Sequence, residues 1–187
     1  DTMLIAMVTR LTDQKGLDLV NWIIGRLVES RIQLVVVGTG DSRYEGLFRH
    51  MQEVAPDKVR AYIAFNESFA HKVYAGADAL LMPSLFEPCG LTQLISLRYG
   101  TVPIVRETGG LRDTVEAYNE FENLGTGFSF CNYNADEMLS TIYYAEQTYY
   151  ENRKAWNGIV KRGMQQDFSW NVSAKKYEAL YTQLCER

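Results

Sequence analysis

The chain has 187 residues, enough for a domain that folds without a disulfide or a metal ion. Its apolar fraction of 47% and charged fraction of 22% are ordinary for a globular protein. The net charge of −4 argues against a general basic face for nucleic acid or an anionic membrane. Cys89, Cys131 and Cys185 fit no zinc spacing, so reduced thiols in a cytosol-like compartment are expected. No apolar run approaches the roughly 18 residues of a membrane span.

The first two-thirds of the chain alternate short apolar runs with amphipathic stretches. Six runs are predicted to be strands, at residues 3–8, 33–37, 59–65, 79–82, 102–106 and 127–130. Helices are predicted at residues 17–29, through Leu47 and Met51, at residues 69–75 and at residues 91–99. Near-continuous apolar strands separated by helices indicate a parallel sheet covered on both faces. Right-handed crossovers then give an α/β fold, a Rossmann-like doubly wound parallel sheet.

From about residue 134 the pattern becomes helical. Residues 134–137 resemble a capping box, and apolar residues at helical spacing follow as far as Tyr149. Further helices are predicted at residues 151–166 and 173–184. Residues 1–187 are therefore expected to form a single domain with a helical C-terminal tail. The first residues already form a predicted strand, so the chain is interpreted as a fragment whose upstream part is not visible.

Two cations, Arg10 and Lys15, lie five residues apart in the loop after the first strand. Ligands of an open parallel sheet bind beyond the carboxyl ends of its strands, which is where this loop falls. Arginine can hold phosphate oxygens in a fork, lysine adds a mobile charge, and a helix N-terminus attracts anions. The loop therefore favours phosphate binding, although a solvated turn with two surface cations gives the same pattern.

The second and third strands are followed by less specific signals. Gly38 and Gly40 allow a tight turn or a close approach to a ligand. The loop is neither a Walker loop nor a full dinucleotide fingerprint, because Arg43 stands where the third glycine belongs. Phe65, at the predicted end of the third strand, could complete the core or stack on a nucleotide base.

The loop after the fourth strand carries a carboxylate where phosphate is also expected. Pro88 fixes an extended backbone at Glu87, Gly90 allows close approach, and Thr92 offers a hydroxyl in the first helical turn. A simple charge at a helix N-terminus would explain Glu87, and a small buried hydrophobe would explain Cys89. After the fifth strand, the turn at residues 108–110 brings two glycines to the same edge of the sheet.

In this order, the loops resemble the C-terminal domain of bacterial glycogen synthases and plant starch synthases. The strings that carry the resemblance are TRLTDQKGLDL (residues 9–19), GTGD (38–41), AGAD (75–78), PSLFEPCGLTQL (83–94), RETGGLRDTV (106–115), GTGF (125–128) and DFSW (167–170). The resemblance covers essentially the whole chain. Its most specific part is EPCGLTQ (residues 87–93), whereas the glycine turns alone are common.

The resemblance implies the C-terminal half of a two-domain GT-B glycosyltransferase. This half would bind ADP-glucose, and a missing N-terminal domain would hold an α-1,4-glucan acceptor. Glucose would pass to the non-reducing end of the glucan with retention of configuration, without a metal ion or another cofactor. Neither nucleic acid nor a membrane is an expected partner. The location would be the cytoplasm, or a plastid in a plant.

Site residues follow from the resemblance position by position. Arg10, Lys15 and Glu87 would be catalytic: the two cations would bind the diphosphate and stabilise the departing nucleotide, and the carboxylate would lie beside the transferred glucose. The implied nucleotide-sugar-binding residues are Gly38, Phe65, Cys89, Gly90, Leu91, Thr92, Thr108, Gly109 and Gly110.

One position departs from many retaining relatives, which carry a second glutamate eight residues after the first. Ile95 stands there in this chain, which agrees with the bacterial synthases and argues against a ribose contact at that position. Two other hypotheses stay open. One is a related enzyme that uses UDP-glucose, GDP-mannose or another donor, and the other is a non-catalytic module that binds nucleotide or glucan.

Overall fold

A computed structural model describes residues 2–185 of the chain. Its strands are β1 (Met3–Val8), β2 (Ile32–Val37), β3 (Val59–Tyr62), β4 (Ala79–Met82), β5 (Val102–Arg106) and β6 (Phe128–Phe130). Its helices are α1 (Leu17–Glu29), α2 (Ser42–Val54), α3 (Glu67–Gly76), α4 (Thr92–Tyr99), α5 (Gly109–Thr114), α6 (Ala135–Glu151), α7 (Arg153–Met164) and α8 (Trp170–Cys185). A short 3-10 turn at Asp13–Lys15 precedes α1.

The six strands form one parallel sheet in the order β3-β2-β1-β4-β5-β6. β1 pairs with β2 along its whole length, from Met3 opposite Ile32 to Val8 opposite Val37. The chain reverses direction across the sheet between β1 and β4, and ligands bind at this switch point in doubly wound folds. The predicted Rossmann-like doubly wound sheet is confirmed.

Both faces of the sheet are covered, as the continuous apolar strands predict. On one face, α1, α2 and α6 share a single core cluster with alternate residues of β1 and β2, and Ile23, Phe48 and Ile142 are almost wholly buried in it. On the other face, α3 contributes Val73 and Tyr74 to a smaller cluster around Ala6. The sheet is therefore a rigid platform whose strand ends position the loops.

The third strand is shorter than the sequence predicts. Strand β3 ends at Tyr62 rather than at Phe65, because its partner β2 ends at Val37 and offers no further pairing. The Ala64 amide donates to the Tyr62 carbonyl at 3.0 Å, which turns the chain away from the sheet. Phe65 therefore lies in a loop and is 89% exposed, so the interpretation that it completes the core is wrong.

Two helix starts also differ from the sequence prediction. Thr108 precedes a helix, and Gly109 and Gly110 form its first turn, so the predicted turn continues as α5. At α6, the Asn134 side chain accepts from the amides of Asp136 and Glu137. The Glu137 carboxylate accepts from the amide of Cys131 and is not paired with Asn134, so the expected capping box is not closed.

The C-terminal helices differ in burial. Helices α6 and α7 complete the core, with Tyr149 and Trp156 almost wholly buried. Helix α8 has no buried residue along its length. Its largest apolar side chains are exposed, namely Trp170, Tyr177, Leu180, Tyr181 and Leu184. Within residues 2–185, no helix is both long enough and apolar enough to cross a membrane.

Candidate functional site

Three loops meet at the carboxyl edge of the sheet, where the sequence predicts the site. The amide of Leu11 donates to the carbonyl of Thr39 at 2.9 Å, which joins the loops after β1 and β2. The amide of Leu85 donates to the carbonyl of Gln14 at 2.9 Å, which joins the loops after β1 and β4. These backbone bonds fix the positions of the three loops relative to one another.

Lys15 and Glu87 form an ion pair in the centre of this edge. The Lys15 ammonium contacts Oε2 of Glu87, and the two side chains are only 15% and 10% exposed. The Ser84 hydroxyl donates to the same oxygen at 3.2 Å. A buried carboxylate is tolerated when it is paired and hydrogen-bonded in this way. Lys15, which the resemblance assigns to the diphosphate, is thus first of all the partner of Glu87.

A second group of predicted residues lines part of a cavity of about 400 Å³ at the same edge of the sheet. This volume lies within the range of small-molecule sites. Its lining includes Arg10, Gly38 and Phe65, which come from the loops after β1, β2 and β3. Arg10 is exposed and its guanidinium makes one long contact, 3.4 Å, with the Gln14 side chain. Ile95 also lines the cavity, so an apolar side chain stands at that position.

Thr92 lies close to one residue of the cavity lining. It begins α4 near the hydroxyl of Tyr74, which lines the cavity. Burial raises the pKa of the Tyr74 hydroxyl, and the nearby Thr92 hydroxyl partly offsets that rise. The N-terminal turn of α4, with its free amide groups, is therefore next to the cavity wall.

The segment between Glu87 and α4 is shaped by Gln93, a residue to which the sequence analysis gives no role. Its side chain is wholly buried and donates to the carbonyls of Cys89 and Gly90, each at 3.0 Å. Gly90 has a φ of +71°, a conformation that favours glycine. Cys89 and Leu91 remain exposed beside it.

The start of α5 closes the site from the opposite side. The amide of Gly110 donates to the carbonyl of Glu87 at 3.0 Å. A β-carbon on Gly110 would overlap the carbonyl oxygen of Cys89, and one on Gly109 would overlap that of Glu87. Both glycines are thus needed for close backbone approach, as the sequence suggests. Thr108 precedes them and is half-buried.

Arg106 is a second residue that the sequence analysis leaves without a role. It ends β5 and donates to the carbonyls of Ser84 at 2.9 Å, Leu85 at 2.5 Å and Cys131 at 3.2 Å. The sequence did contain a signal for this role, because Arg106 directly follows the four apolar residues of a buried strand. The neighbouring Glu107 accepts from Ser129 and Cys131, and these bonds lower the pKa of its carboxyl group.

Within residues 2–185, no group of three or more histidine, cysteine, aspartate or glutamate side chains could hold a metal ion. The expectation of metal-free chemistry stays a prediction. The site offers a paired carboxylate, two cations, helix N-termini and a cavity. These groups can bind a diphosphate and stabilise charge on a leaving group.

The family model of glycosyl transferases group 1 matches residues 1–162. The chain belongs to this family. It is 61% identical over 181 residues to a glycogen synthase of Lachnospira eligens, and 56% identical to one of Lachnoclostridium phytofermentans. In both cases the alignment covers 97% of this chain and 38% of the relative. The chain therefore spans about two-fifths of the length of these relatives.

Solved structures give the same result. The catalytic domain of starch synthase IV from Arabidopsis thaliana, bound to ADP and acarbose, superposes with a TM-score of 0.86 at 34% identity. The match covers 100% of this chain and 39% of that one. Anabaena HepE in complex with UDP-glucose shares the fold, with a TM-score of 0.71 at 14% identity. The resemblance to glycogen and starch synthases is confirmed, as is the glycosyltransferase fold.

Proposed function

We propose that this chain is the donor-binding part of a retaining glucosyltransferase that moves glucose from ADP-glucose to the non-reducing end of an α-1,4-glucan. The observation that carries the proposal is that the Lys15–Glu87 pair and the cavity lie at the same edge of the sheet. This arrangement occurs in a chain that is 61% identical to a glycogen synthase.

In the proposed complex, the nucleotide occupies the cavity. Phe65 stacks on the adenine, since its ring is almost fully exposed at the cavity rim. Gly38 lets the backbone approach the nucleoside. Arg10 holds the diphosphate together with the α4 N-terminus at Thr92, because fixed cations and helix dipoles favour the anion. No metal ion is required for this step.

The glucosyl group then lies over the segment of residues 87–91 and beside residues 108–110. Glu87 lies next to the anomeric carbon and stabilises its developing positive charge. Lys15 holds that carboxylate in place and faces the departing diphosphate, where its charge lowers the barrier to leaving. Cys89, Gly90, Leu91, Thr108, Gly109 and Gly110 line the sugar subsite.

The acceptor glucan binds to a part of the enzyme outside this chain. This part supplies the opposite wall of the site, and closure of the two parts completes it. The exposed apolar side chains of α8 provide a surface against which this acceptor-binding part can pack.

The test uses both the full-length protein and this chain. With maltooligosaccharide acceptors, the full-length protein is expected to elongate glucan from ADP-glucose. This chain alone is expected to bind ADP weakly in calorimetry and to transfer no glucose. Preference for UDP-glucose or another donor would reject the donor assignment. A full-length protein that binds ADP but transfers no sugar from any donor would show a non-catalytic module.

A further inference from the structure

We propose that Arg106 is a positioning residue that sets the orientation of the Glu87 carboxylate through Ser84. The inference rests on the proposed function, in which Glu87 acts on the glucosyl group. Arg106 does not line the cavity, and its guanidinium donates only to backbone carbonyls of the described residues. Any effect on the reaction must therefore pass through another residue.

The Arg106 guanidinium donates three bonds to carbonyls that follow neighbouring strands. Nε and Nη2 of Arg106 bind the consecutive carbonyls of Ser84 and Leu85, and Nη1 binds the carbonyl of Cys131 just beyond β6. The guanidinium thus joins the ends of three adjacent strands. Only arginine presents donors in a rigid fork that can reach three carbonyls at once, whereas a lysine ammonium sits at a single point.

Ser84 connects the bonds of Arg106 to the Glu87 carboxylate. Ser84 is 1% exposed, its carbonyl is held by Arg106, and its hydroxyl donates to Oε2 of Glu87 at 3.2 Å. The amide of the next residue, Leu85, donates to the Gln14 carbonyl at 2.9 Å. This bond connects the same turn to the loop that carries Lys15. Rotation of the peptide after Ser84 would therefore disturb both partners of the Glu87 carboxylate.

The Arg106 side chain does more than support the fold. Pairing of β5 with β4 and β6 uses backbone groups and does not need the Arg106 side chain. The partners of the side chain lie in loops beyond the strand ends. The guanidinium carbon of Arg106 lies over the ring of Tyr133, 5.6 Å from the ring centroid. Loss of the fork should therefore loosen the turn at residues 84–85 and leave the sheet intact.

The experiment compares Arg106→Lys with Arg162→Lys in the full-length protein. Arg162 is a matched control, since its Nε donates to the Gly125 carbonyl at 2.7 Å. This bond does not involve the Lys15–Glu87 ion pair. Arg106→Lys is expected to lower kcat by about 10- to 100-fold, the cost of a misplaced reacting group. KM for the donor and the Kd of ADP should change by less than about threefold. Equal kcat values in the two variants, or a loss confined to ADP affinity, would overturn the proposal.

A double-mutant cycle tests the route through Ser84. If Arg106 acts through this residue, Ser84→Ala combined with Arg106→Lys should lose little more kcat than the more damaging single variant. If the kcat loss of the double variant equals the product of the two single losses, Arg106 does not act through Ser84. Hydrogen exchange gives a readout that does not depend on turnover. The Leu85 and Gly110 amides should lose protection in Arg106→Lys but not in Arg162→Lys.

The exchange result also separates two kinds of failure. If the wild-type protein elongates no glucan, the proposed function fails, yet a selective loss of protection would still show that Arg106 holds the turn. If the wild type is active and protection is unchanged in Arg106→Lys, the positioning role fails and the proposed function stands.

Discussion

Two parts of the candidate site lie side by side at the same sheet edge and are built in different ways. The carboxylate segment, residues 83–90, is held by side chains from three directions, with Lys15, Gln93 and Arg106 all bonded to it. The cavity wall carries the predicted residues Arg10, Gly38 and Phe65, and the side chains of Arg10 and Phe65 are exposed. The first part is therefore fixed by bonds within the chain, and the second is open to solvent.

The difference matches what each part has to do. Transition-state stabilisation requires charges that are in position beforehand, because reorganisation at the moment of reaction is costly. Nucleotide binding tolerates exposed side chains that become ordered around the ligand, at an entropic cost of about 0.5–1.5 kcal/mol for each. Substitutions in the carboxylate segment should therefore affect turnover, whereas substitutions in the cavity wall should affect affinity.

The largest expected effect tests the fixed part. Glu87→Gln in the full-length protein should lower kcat by about 10²–10³-fold, because the charge that faces the reacting sugar is lost. ADP affinity should be unchanged or higher, since Lys15 loses its carboxylate partner and is free to meet phosphate. Steady-state kinetics and calorimetry measure the two quantities.

Glu107→Gln is the matched control for that substitution. Its carboxylate lies at the same sheet edge but is bonded to Ser129 and Cys131, away from Lys15. It should keep most of the activity. If Glu87→Gln is as active as Glu107→Gln, the carboxylate segment has no catalytic role and the comparison fails.

A smaller effect is expected from crowding the segment without removing a charge. Gly110→Ala places a β-carbon against the Cys89 carbonyl, which forces the segment or α5 to shift. A shift of about 1 Å at the reacting groups can cost roughly 10²-fold in kcat. ADP affinity should fall much less than kcat, as expected for a substitution that disturbs the carboxylate segment and not the cavity wall.

Gly46→Ala is the control for the glycine substitution. A β-carbon on Gly46, in the exposed face of α2, would contact nothing within 4 Å. This change should stabilise the helix by about 0.5–1 kcal/mol without any loss of turnover. A thermal unfolding curve for each variant separates loss of fold from loss of geometry. Unchanged kcat in Gly110→Ala would show that the segment tolerates displacement.

The same contrast explains what could be predicted from the sequence. The strands were predictable from their apolar runs, and the strand-end rule placed Lys15 and Glu87 at one edge. The end of β3 could not be predicted in this way, because it depends on the last residue of β2 that pairs with it. Arg106 and Gln93 escaped notice because they bind backbone carbonyls. The Ser84 carbonyl that Arg106 binds is 22 residues away, and no local pattern records such a contact.

The smallest expected effect tests the open part. Phe65→Ala should weaken ADP binding by about fivefold, equivalent to roughly 1 kcal/mol, since a ring that is 89% exposed stacks with one face only. At saturating donor, kcat should be unchanged, because the ring belongs to the cavity lining, which includes no residue of the carboxylate segment. The melting temperature should not fall, since little apolar surface is buried there.

Phe121→Ala provides the matched control for the open part. Its ring is 92% exposed and lies outside the cavity lining, so ADP affinity should not respond. Equal effects of the two substitutions would mean that Phe65 is only a surface residue and that the base binds elsewhere. A loss of kcat in Phe65→Ala at saturating donor would mean that the open and fixed parts are coupled. In that case the nucleotide, once bound, would also help to position the carboxylate segment.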